Sequence, residues 1–160
     1  MLAKVERSVR AGAAFDRNAR ELPVRRQRSV AAYVRDARPG ILATAPAIYS
    51  LLLPLAVLHA WVWTYERLCF PIYGLARVPH RRYFALDRHT LPYLNGLEKA
   101  NCWFCAYANG VVAYAREVVA RTEEYWCPIK HQRPLPEPHS RYDRFSDYGD
   151  AEGFRRGPGP

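Results

Sequence analysis

The spacing of apolar side chains changes character several times along the chain. From residue 1 to 40 they are scattered among arginines with no repeating interval. That pattern predicts a loose or interfacial basic arm, with at most a short helix over 28–37 because Pro23 and Pro39 limit anything longer. Residues 41–63, ILATAPAIYSLLLPLAVLHAWVW, then carry no formal charge. As a helix this run measures about 35 Å at 1.5 Å per residue, enough to cross a hydrocarbon layer of about 30 Å. Trp61, Trp63 and Tyr65 cluster at its end, as amphipathic aromatics do at a membrane–water interface. Pro46 can be absorbed in the early turns. Pro54 removes a backbone hydrogen bond past the middle and predicts a kink. A kinked span and a re-entrant segment are both compatible with this reading, because arginines flank both ends and the charge asymmetry is slight.

Residues 64–88 form an irregular bridge in which RRYFALDR reads as a short strand or extended piece. Residues 89–126 carry the clearest period. Leu94, Leu97, Asn101, Phe104, Ala108, Val111, Ala115, Val118, Thr122 and Tyr125 recur at steps of three and four, which is one face of a long helix. Thr90 with Pro92 resembles its start, and Pro128 stops it. Arg116, Glu117, Arg121, Glu123 and Glu124 fall on the other side and are expected to be solvated. The Asn109–Gly110 dipeptide is a possible break. Residues 132–160 are rich in proline, charge and aromatics, and predict an extended piece followed by a tail that packs over the domain. The expected protein is mostly α. It divides into a basic arm (1–40), a membrane segment (41–65), a cysteine-containing helical domain (66–131) and an irregular C-terminal extension (132–160).

Composition changes this picture in two places. The net charge is +9, carried almost wholly by arginine. Such a surface suits phosphate, in lipid headgroups or nucleic acid. A GC-rich coding sequence produces the same arginine bias, and no nucleic-acid-binding motif accompanies it, so nucleic acid is not expected as a partner. The second place is the cysteines. Cys102, Cys105 and Cys127 with His131 read as C-x2-C-x21-C-x3-H, a Cys3His set suited to tetrahedral zinc. Cys69 and His89 are alternates, with His80 a further candidate. Haem or an iron–sulfur group is a lesser expectation at the same residues. One unbroken helix would hold Cys105 and Cys127 about 33 Å apart, so a single site requires a break at Asn109–Gly110, a second copy, or ligands from the preceding bridge. The other readings are a thiol redox pair at Cys102 and Cys105, and thiols that simply pack as small apolar groups. His59 is expected to be a packed or interfacial histidine.

YLNGLEKANCWFCAYANGVVAYAREVVARTEEYWCPIKH, followed by PHSRYDRFSDYGDAEGFR, resembles a family of small uncharacterised bacterial membrane proteins. The likeness covers roughly residues 66–155, and RTEEYWCPIKH is its most specific part. It implies a bacterial source and a membrane architecture, and no catalytic residues. The function expected from sequence is therefore a non-enzymatic, membrane-anchored accessory or interaction protein with a structural zinc site. It would sit in the inner membrane with its C-terminal domain in the cytoplasm, where thiols stay reduced. Its expected contacts are the membrane and either a protein partner or a second copy.

Overall fold

A computed structural model describes residues 27–156. The part of the basic arm before residue 27 lies outside the described residues. Among the described residues there are five α-helices, in order α1 (Val30–Arg35), α2 (Pro39–Ser50), α3 (Leu52–Tyr73), α4 (Gly96–Trp126) and α5 (Ala151–Arg156). Short 3-10 turns lie at His80–Tyr83, Arg88–Thr90 and Tyr142–Arg144. Among the described residues the only β pairing is one isolated parallel bridge, Ile129 with Ser146. The chain divides into two compact units. One comprises residues 27–51 and 85–107, the other 52–84 and 108–156.

In the first unit, Ser29 caps α1 by accepting the Ala32 N–H at 3.2 Å. This is the short helix expected over 28–37. Pro39 opens α2 at its first position, where its missing N–H costs nothing. Together α2 and α3 make one long apolar helix from Pro39 to Tyr73, kinked by 22°. The break falls at Leu51, just before Pro54. The Pro54 ring crowds the carbonyl four residues back and offers it no N–H. The helix α4 does not begin at Thr90–Pro92. Those residues lie in a 3-10 turn and the loop after it, and α4 starts at Gly96. Its cap is a reciprocal pair. Asn95 Oδ1 accepts the Glu98 N–H at 3.0 Å, and Glu98 Oε2 accepts the Asn95 N–H at 2.9 Å. This capping box satisfies two otherwise orphaned donors.

In the second unit, α3 ends in a Schellman turn. Gly74 adopts φ 68° and the Leu75 N–H reaches back to the Phe70 carbonyl at 2.9 Å. Phe70, Val62, Val78, Tyr114, Ala115 and Val118 form the core, with Tyr65, Leu75, Tyr83 and Phe84 packed on it. Val111, Ala115 and Val118 from the expected stripe are buried. Segment 81–88 forms no strand. The peptide turns in 3-10 fashion at His80–Tyr83 and carries Phe84 onto α4.

The long helix holds without the break that Asn109–Gly110 allowed; α4 runs unbroken from Gly96 to Trp126. Gly110 serves as a close-approach site instead. A Cβ there would stand 2.7 Å from Phe84 Cδ1 and 2.8 Å from the Tyr83 carbonyl oxygen. Residues 129–147 fold back on α4 as a clamp. Lys130 N–H donates to Ser146 O at 2.8 Å, and Ser146 N–H to Pro128 O at 2.9 Å. Arg141 reaches Glu124 at 2.5 Å and Glu117 at 3.1 Å, Arg121 joins Glu117 at 2.9 Å, and His139 meets Glu123 at 3.0 Å. The charged side of α4 is thus largely covered rather than solvated. The side chains of Glu117 and Arg121 are only 18% and 17% exposed. Burial pushes the Glu117 carboxyl up, but hydrogen bonds and charge from Arg121 and Arg141 more than offset this and hold it below its ordinary range. Arg141 Nε is buried without a partner, so part of the clamp's gain is given back.

Two outcomes follow from this packing. Gly110→Ala should lower stability by roughly 1–3 kcal/mol, because a backbone oxygen cannot give way as a side-chain tip can; denaturant unfolding of the detergent-solubilised protein reads this directly. The Glu117 carboxyl is depressed in the folded state, so its contribution is fully present above the unfolded value near 4.3 and is lost as pH falls through the folded value. Arg141→Ala should cost about 1–3 kcal/mol at neutral pH. The same variant should flatten the acid limb of stability, which thermal melts between neutral pH and acid will follow.

Candidate functional site

The residues predicted to hold a metal are spread over α3, α4 and the segments that follow each of them. Cys102 and Cys105 lie on α4, and Cys127 lies just past its end, where its N–H bonds the Glu123 carbonyl at 2.8 Å. The unbroken helix keeps Cys105 and Cys127 apart by about 33 Å of rise. His131 is engaged elsewhere: Tyr142 Oη takes its backbone N–H at 2.6 Å and lies 3.0 Å from its Nδ1. Cys69 is half-buried on α3 and His89 is exposed in a 3-10 turn. All four cysteines are thiols, with Cys105 and Cys127 exposed. Among the described residues no three His, Cys, Asp or Glu side chains form a metal-holding group. Continuity of α4 through Gly110 removes the fold-back route and leaves the other two, a second copy or ligands from the preceding bridge.

The aromatic cluster at the end of the apolar run also divides. Trp61 and Trp63 face outward, and Arg67 lies over the Trp63 ring at 4.8 Å. Tyr65 turns inward and meets the Thr122 hydroxyl at 3.0 Å.

The polar chemistry that does converge lies inside the second unit, on residues the sequence reading passed over or took as packing. Glu66 comes one turn after Val62 on α3 and is 3% exposed. Its two carboxylate oxygens each accept one donor: the Val78 backbone N–H at 2.5 Å and the Tyr114 hydroxyl. Tyr114 is fully buried. Burial first, then the hydrogen bond and charge of Glu66, raise its hydroxyl well above the ordinary tyrosine value. This phenol therefore remains a donor throughout the physiological range.

Beside this pair stands a group of rings. His59 Nε2 and His80 Nε2 are 2.7 Å apart. Phe84 lies nearly parallel to both imidazoles, at centroid distances of 5.1 and 4.5 Å. Tyr114 meets both edge-on, at 6.0 and 5.0 Å. A cavity of about 350 Å³, lined by Ala56, His59, Ala60, Trp63 and His80, opens on the pair. His59, expected as a packed or interfacial histidine, is the one histidine of the charge-free run. Its pairing with His80 was not legible, because nothing in the spacing of residues 59 and 80 announces a contact.

In the first unit a second cavity, of about 310 Å³, is lined mostly by apolar groups including Ile41, Leu42, Ala45, Ile48 and Leu97. The Arg28–Asp36 ion pair, 2.7 Å, stands at it.

The comparisons with known proteins add no relative: no family model, no curated protein and no solved structure matches this sequence.

Proposed function

We propose that this chain is a membrane-anchored accessory protein that works by binding a protein partner or a second copy of itself, not by catalysis. The observation that carries the reading is the outward face of the apolar helix. One helix, Pro39–Tyr73, is long and apolar enough to cross a membrane, and its most apolar stretch contributes nothing to the interior. Leu53, Trp61 and Ile72 are each more than 70% exposed, and Val57 and Leu68 more than half. A contiguous apolar surface of that length is costly in water and favourable in lipid. In this reading the anchor lies in a bacterial inner membrane and the clamped α4 stands on the cytoplasmic side.

The binding surface in this reading is the face of α4 that the clamp leaves open. Val112, Val119 and Trp126 recur at seven-residue steps and are about half exposed, the spacing that pairs helices. Exposed Cys105 and Cys127 stand towards opposite ends of α4. The Cys102, Cys105, Cys127 and His131 set can therefore close on zinc only when an antiparallel second copy brings the two ends together. A thiol redox role has less support. Cys102 and Cys105 lie beyond the first turn of α4, out of reach of the helix-end N–H groups that activate such thiols.

The expected outcome is that the full chain stays in the membrane pellet after alkaline carbonate washing and is released only by detergent. Replacing Leu53, Val57 and Leu58 together with arginine should release it, since each charge at mid-helix costs about 2.5–3.5 kcal/mol of insertion. A wild-type chain that washes into the supernatant would refute the anchor.

A further inference from the structure

His59 and His80 share an Nε2-to-Nε2 hydrogen bond whose donor the tautomers set, and its geometry aims the two nitrogens along one line. The ring planes are 11° apart, the centroids are 4.9 Å apart and the Nε2 atoms are 2.7 Å apart. Near-parallel planes joined by a 2.7 Å contact lie no farther apart than that, short of the ~3.5 Å that overlapping ring faces need. The imidazoles are therefore side by side, almost coplanar, with Nε2 aimed at Nε2. Phe84 covers both rings, with its plane 20° and 28° from theirs. The negative face of a phenyl ring is thus turned toward the junction of the two nitrogens. Tyr114 walls the pair edge-on, its hydroxyl committed to Glu66. Ala56 and Ala60, the small residues flanking His59 on α3, leave the cavity open beside it.

We propose that His59 and His80 form a two-coordinate site for a soft monovalent cation, cuprous copper, held between the two Nε2 atoms under the face of Phe84. Imidazole nitrogens are good copper ligands. Once the bridging proton has moved off, two lone pairs face each other along one line and suit a linear ion, whereas zinc requires three or four ligands in a tetrahedron. A bond of about 2 Å to each nitrogen sets a gap of roughly 4 Å. The rings then part by roughly 1 Å, a side-chain adjustment into the cavity. The Phe84 face adds cation–π attraction and blocks further ligands on its side. The protons balance. In the neutral pair one ring carries its proton on Nε2. On binding that proton moves to Nδ1 of the same ring, both Nε2 lone pairs face the ion, and none is released. This site is independent of the thiols and of the anchoring reading.

The test is an anaerobic cuprous titration of the full chain in detergent, against a colorimetric cuprous chelator, with copper-edge X-ray absorption. The four thiols compete for the same ion, so ligand identity is the readout. The difference between wild type and His80→Gln should be one copper per chain with two nitrogen neighbours near 2 Å and no sulfur near 2.3 Å. His59→Ala should lose the same equivalent, with affinity down at least about tenfold, and Cys127→Ser should keep it. Circular dichroism checks the fold of each variant. If His59→Ala does not fold, His80→Gln decides alone, since His80 lies outside the apolar helix. Identical uptake and spectra in wild type and His80→Gln, or copper bound by sulfur alone, would overturn the proposal.

Discussion

A carboxylate buried at the end of an apolar helix is the constraint around which the second unit is arranged. Glu66 is almost wholly withdrawn from water, and an unpaired buried carboxylate costs several kcal/mol. Its two oxygens are satisfied by a backbone N–H from Val78 and a hydroxyl from Tyr114. Those donors come from the bridge after α3 and from the middle of α4. Three segments, one of them 48 residues away, must therefore meet at one point. Once Tyr114 is fixed there, its ring walls the histidines. Phe84 can reach those rings because Gly110, one turn before Tyr114, has no side chain to hold it off. The histidine junction, the glycine approach and the buried phenol are consequences of one polar lock.

The clamp formed by residues 129–147 solves a related problem for α4. A helix with Glu117, Arg121, Glu123 and Glu124 on one side is free to present them to water. Here the tail supplies Arg141 and His139 as counter-charges, so the side is covered and the helix gains a direction. The face left open carries Val112, Val119 and Trp126. What remains available to a partner is therefore set by what the tail has already occupied.

Much of this was legible in sequence. The charge-free run, the kink before Pro54 and the long period of α4 all follow from local rules, because each depends on neighbours within a few turns. The features that escaped depend on contacts across long separations. Glu66 looks like the first charge after a membrane run until Tyr114, 48 residues on, is seen to meet it. The charges of α4 look solvated until Arg141 arrives from 24 residues beyond Glu117. The start of α4 was misplaced although its signal was present. Asn95 and Glu98 form the cap, but Thr90–Pro92 offers a competing pattern. The thiols pose the opposite problem, since C-x2-C-x21-C-x3-H on an unbroken helix can meet at one ion only with help from outside that helix. Gly110, which allowed a break, is where Phe84 packs.

The central claim is that the Glu66–Tyr114 contact couples α3 to α4. A double-mutant cycle tests it most directly, using Glu66→Gln, Tyr114→Phe and the pair, with unfolding free energies measured in one detergent at neutral pH. The account predicts that the two changes are strongly non-additive, with a coupling of about 1–3 kcal/mol. Effects that add to within about 0.5 kcal/mol would contradict it and leave α3 held to α4 by apolar packing alone.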